Sequence, residues 1–124
     1  MNRWMAAAAG LMALTLVAHV FGGGPEVIDV VMASPLPDVV RMLSAVVWHG
    51  ITVMLAVSVV GLGYLARHEN RGLAMMIAGV QIGFVGLFLG YGIFGLGNIS
   101  EMPQWSVFLA MPIMMALGSR GRAT

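Results

Sequence analysis

The chain contains no cysteine, which excludes disulfides, thiolate metal sites and cysteine nucleophiles. Lysine is absent too, so every basic residue is an arginine, a usage that points to a GC-rich bacterial source. Charge is scarce: 9% of the 124 residues are charged, against about a quarter in a soluble domain. Low-complexity tails, linkers and internal repeats are also missing. A soluble helical bundle would need polar helix faces, and the long apolar runs of this sequence offer none.

What fills the chain is hydrophobic, at 60% of residues. Four uncharged runs stand between the charged positions: Trp4–Phe21, Met42–Ala66, Leu73–Leu96 and Met102–Leu117. A hydrocarbon layer roughly 30 Å thick takes about 20 apolar helical residues, so each run is a candidate span. The last has only 16 residues, and a thinned bilayer or flanking anchors would have to accommodate it. The expected fold is an all-α integral membrane protein: four transmembrane helices in an antiparallel up-down bundle, forming one domain over residues 1–124. In general layout this is similar to small bacterial four-helix membrane proteins, DoxX-like proteins among them; with no motif shared residue by residue, the likeness assigns no function.

Orientation follows from the arginines, which favour the cytoplasmic side of short loops. Arg3, Arg67, Arg71, Arg120 and Arg122 fall on one side of a four-span layout and only Arg41 on the other. Both termini are therefore expected in the cytoplasm, with the protein in a bacterial inner membrane. The first run, with Arg3 as its basic flank, has the look of a signal peptide, but no clear small-x-small site precedes Gly22–Gly24, and we read it as a retained helix. The net charge of +1 gives no footprint for nucleic acid.

Between the first two spans, "GGGPE" is expected to end one helix, with Pro25 opening a short interfacial helix at about residues 25–33. "PLP" then breaks the chain and Asp38 is placed to cap the second span. "RHENRG" makes a tight turn between spans two and three, and His68 belongs to that exposed turn. Ser100 is a candidate cap for span four, with Glu101 and Pro103 in its first turn. Trp4 and Trp105 sit where interfacial indoles anchor a helix.

Span three carries the most regular pattern. Gly79, Gly83, Gly86 and Gly90 recur at four, three and four residues, which confines them to an arc of about 60°. Small residues let helix backbones approach closely in lipid. Packing against span two or four within the chain is the simpler use of this face, and contact with another subunit the functional one. Gln81, Phe84, Phe88 and Tyr91 are expected on the opposite side, as bundle core or as walls for a ligand. The 12 methionines, grouped at Met75–Met76 and Met111–Met115, suit core filling; with no cysteine and no regular outer array, copper(I) handling is not expected.

Polar side chains within the spans gather in their outer halves. His49 lies seven residues inside span two beside Trp48, with Ser44 and Thr52 near it; His19 and Thr15 are in span one, and Tyr91 lies at a depth like that of His49. Such groups in a bilayer raise a functional hypothesis, so His19, His49, Gln81 and Tyr91 form the candidate ligand-binding or interhelical polar cluster. Haem ligation would require His19 and His49 to face each other, yet their depths counted from the expected span ends differ by about 7 Å. A quinone or small lipid could use His49, Tyr91 and Gln81 as hydrogen-bonding groups. Transport would more usually place carboxylates or broken helices at the midplane, and here no carboxylate lies within a span. The simplest role for His49 is a hydrogen bond to a neighbouring helix or to a larger complex.

No serine-histidine-acid motif or other catalytic constellation is present, so no enzyme activity, cofactor or metal site is expected. The reading is a small non-catalytic inner-membrane protein, an accessory or packing subunit, whose partners are the lipid bilayer and other membrane subunits or further copies of itself. The alternative is a ligand, quinone or solute binding or transport protein built on the outer His/Tyr/Gln cluster.

Overall fold

The computed structural model describes residues 1–120, so Arg122 lies outside the described residues. Among them the chain is helical, without a strand. Helix α1 runs over Arg3–Ala33, α2 over Asp38–Leu65, α3 over Arg71–Gly95 and α4 over Gln104–Arg120, with a 3₁₀ turn at Ile99–Glu101 before α4. By length and composition, α1, α2 and α3 are able to cross a membrane. Helix α4 has 17 residues, or about 26 Å of rise, and falls short of the same length.

Each helix contributes one narrow apolar stripe to a common core. Met5, Ala8 and Met12 of α1 repeat at three and four residues, as do Phe108, Met111 and Met115 of α4; Leu55, Leu62 and Leu65 of α2, Ala66 just beyond it and Ile77 of α3 complete the set. That spacing places the residues of a stripe on one helical face. Helix α1 packs on both α2 and α4, and α3 packs chiefly on α4. Between α3 and α4 the rings of Phe84 and Phe88 lie 4.9 and 5.8 Å from that of Phe108. Helices α2 and α3, although joined by a tight turn, meet mainly near it, where a Cβ on Gly61 would come within 2.7 Å of the Ile77 Cδ1.

Asn2 ties one end of the bundle together. Its Oδ1 accepts from the backbone amides of Trp4 and Met5, satisfying two of the free donors at the start of α1. Its own amide donates to the Ala66 carbonyl at 2.7 Å, and its Nδ2 donates to the Gly118 carbonyl at 2.7 Å. The start of α1 is thereby held to the ends of α2 and α4. Arg3, Arg67, Arg71 and Arg120 all fall at this end. Arg41 is at the other, pairing with Asp38 and donating to the Met32 carbonyl.

Three expectations about the connections are corrected. Helix α1 does not stop at Phe21, and residues 25–33 are not a separate interfacial helix; the chain continues through a π-helical stretch, Ala18–Ile28, into a last α-helical turn, Asp29–Ala33. Glycine ends a helix by taking a left-handed conformation, and Gly97 is the one described glycine with positive φ, so Gly22, Gly23 and Gly24 carry the helix onward. Asp38 caps nothing: Pro37 occupies the cap position without a side-chain bond, and the Asp38 carboxylate turns to Arg41. Ser100 does not cap α4. Its amide and hydroxyl both donate to Oδ1 of Asn98, which closes the 3₁₀ turn instead. The tight turn after α2 forms as read, with the Asn70 side chain accepting from the Leu73 amide at the start of α3.

Candidate functional site

The four glycines of the α3 stripe face away from the bundle. A Cβ built at Gly79, Gly83, Gly86 or Gly90 meets nothing within 4 Å. The expectation that this stripe packs against α2 or α4 is therefore overturned: the apolar contacts of α3 are made by its other side, through Ile77, Phe84 and Phe88. Toward its end the stripe runs into a shallow groove of about 310 Å³, lined by Gly86, Leu87, Gly90, Tyr91, Phe94 and Gly95. Phe94 is 90% exposed at its rim.

The four residues of the candidate polar cluster occupy four different settings. His19 sits in the seam between α1 and α2, its ring stacked on that of Trp48 with centroids 4.0 Å apart. Its Nε2 lies 3.3 Å from the Trp48 carbonyl oxygen and 3.1 Å from Oγ1 of Thr52. With the proton on Nε2 the ring donates to this carbonyl, which can only accept. The Thr52 hydroxyl donates to the same carbonyl at 3.2 Å. The π-helical stretch fits this arrangement. Its wider turn brings Gly23 so close to Trp48 that a Cβ there would stand 2.9 Å from the indole Cη2. Trp48 is thus packed against both the His19 ring and the Gly23 backbone.

His49 is at the level of His19, because His19 touches Trp48 and Thr52 on either side of it. The offset of about 7 Å expected from rise per residue came from helix ends placed at Phe21 and Met42, whereas α1 runs on to Ala33 and α2 begins at Asp38. The two imidazoles nevertheless diverge: His19 is engaged in the seam, and His49 is exposed on the outer side of α2 with no hydrogen-bond partner among the described residues.

Gln81 and Tyr91 separate from both histidines and from each other. Tyr91 lies 67% exposed in the groove beside Gly86 and Gly90, and not on the core side with Phe84 and Phe88. A π-helical turn, Tyr91–Gly95, ends α3 at this point. Gln81 is 1% exposed inside the bundle, and neither Oε1 nor Nε2 has a partner among the described residues. On the same face of α3, one and two turns nearer the Asn2 end, Ala78 and Ala74 line a cavity of about 590 Å³ together with Met5, Met115 and Pro112; Arg71 and Ser119 stand at its polar end.

Trp4 is half-exposed at the Asn2 end and Trp105 partly exposed at the start of α4. No group of three or more His, Cys, Asp or Glu side chains able to hold a metal ion occurs among the described residues. Asn2 and Gly118 were not singled out by sequence patterning, and Gly23 was read only as part of a helix stop. Asn2 had a readable signal, an asparagine one residue ahead of an apolar run; the contacts of Gly23 and Gly118 had none, since each is made with a neighbour distant in sequence. Comparison with protein-family models, with curated proteins and with solved structures gives no match.

Proposed function

We propose that this chain is a non-catalytic accessory or packing subunit of a larger bacterial inner-membrane assembly, with α4 as a short fourth span and both termini in the cytoplasm. The observation that carries the reading is the outward glycine face of α3. A flat, side-chain-free strip at Gly79, Gly83, Gly86 and Gly90 offers lipid tails little to pack against, while a neighbouring helix can approach it closely. The groove beside Tyr91 and Phe94 extends the same surface. Arginines gathered at the Asn2 end support the orientation. Isolation from its native membrane in mild detergent should recover the chain in a complex well above its own 13.1 kDa. A monodisperse single chain, stable without partners, would contradict the proposal.

A second reading, ligand or solute binding, is favoured by one observation: the buried and unpartnered amide of Gln81. Buried polar groups are normally hydrogen-bonded, and this amide offers a donor and an acceptor to a small polar guest. The two readings part at Gln81→Leu, which leaves the glycine face untouched but abolishes any guest that the amide holds.

A further inference from the structure

The outer side of α2 has its own seam. Val46, His49, Val53, Ala56, Val60 and Gly63 recur at three, four, three, four and three residues, the spacing of a left-handed helix pair. Val46, His49, Val53 and Val60 are exposed, and a Cβ on Gly63 would meet nothing within 4 Å. Apolar exposure alone suits lipid. His49 does not: it lies within the uncharged Met42–Ala66 segment, where hydrocarbon supplies no hydrogen-bond partner.

We propose that this face pairs in parallel with the same face of a second copy, placing the two His49 side chains against each other across a two-fold axis. Three features select a second copy as the occupant. A neutral imidazole carries one N–H donor and one acceptor nitrogen, so it is complementary to itself. In a parallel pair, equivalent seam positions meet in the same layer, which brings His49 opposite His49. Ala56 and Gly63, at the equivalent positions one and two heptads further along, are small enough to let the two backbones approach below that layer. Parallel alignment rests on the membrane orientation proposed above; the seam is separate from the glycine face of α3, so loss of the larger assembly would leave this pairing in place.

The absence of cysteine makes the test direct. Val46→Cys, Val53→Cys and Val60→Cys, each alone in the full chain in its native membrane, should give disulfide-linked dimers on mild oxidation. Val47→Cys on the flank of α2 and Gly83→Cys on α3 should give few. In the Val53→Cys background, His49→Phe should raise the dimer dissociation constant about 3–30-fold, the range for one interhelical hydrogen bond in a membrane, and His49→Asn should retain most of the association. Cross-linking at Val47 equal to that at Val53, cross-linking only at Gly83, no dimer from any seam position in inserted protein, or no effect of His49→Phe would each overturn the inference.

Discussion

Replacing Gln81 by leucine should stabilise the protein. The side chain is 1% exposed and both of its polar atoms lack partners among the described residues, so its amide has left water without gaining a bond. An unsatisfied buried group of this kind costs about 1–3 kcal/mol. Leucine has a similar volume and joins a surround that includes Phe84 and Ile77 on the same side of α3. The expected gain is therefore about 1–3 kcal/mol, or roughly 5–150-fold in the folding equilibrium. Reversible unfolding in mixed micelles, followed by circular dichroism against denaturant, would measure it, with Gln81→Met as a second variant that keeps an unbranched shape. A loss of 1 kcal/mol or more in both variants would refute the reasoning: the amide would then be bonded in the native protein, to solvent or to a guest, and the ligand-binding reading would gain.

Three further outcomes follow from named contacts. Asn2→Ala removes a helix cap and the tie to Gly118, and should cost about 1–3 kcal/mol in the same unfolding assay. Gly118→Val should act at the same junction, because even a Cβ there would stand 2.9 Å from Asn2 Oδ1; combined with Asn2→Ala its cost should be less than additive. Gly83→Leu should leave unfolding within about 0.5 kcal/mol of the parent, since its Cβ enters open space, yet shift the chain from the large assembly to smaller species on native gels.

Much of the fold could be read from hydrophobicity, because uncharged runs and polar breaks act locally. The ends of α3 were legible within two residues at the Asn70 turn, and the α2–α3 connection followed from "RHENRG". The course of α1 beyond Phe21 was not legible. Three glycines and a proline are strong local signals for a break, and what overrides them is tertiary: the π-helical stretch lies along α2 and receives Trp48 at Gly23. That single difference also displaced the depth assigned to His19. The candidate cluster was legible as a set of polar residues but not as an arrangement, since facing depends on which side of each helix meets which neighbour. Gln81 turned inward and His49 outward although both interrupt otherwise apolar helices. The glycine stripe was visible at once from its spacing. Whether it closed the bundle or left it was decided by Phe84 and Phe88 stacking on Phe108, which turns the opposite side of α3 outward.

The most direct test of the packing-subunit account is a density map of the chain in its native membrane assembly. The account expects a helix of another polypeptide lying along Gly79, Gly83, Gly86 and Gly90 at backbone-to-backbone contact; ordered lipid or empty density along that face would contradict it.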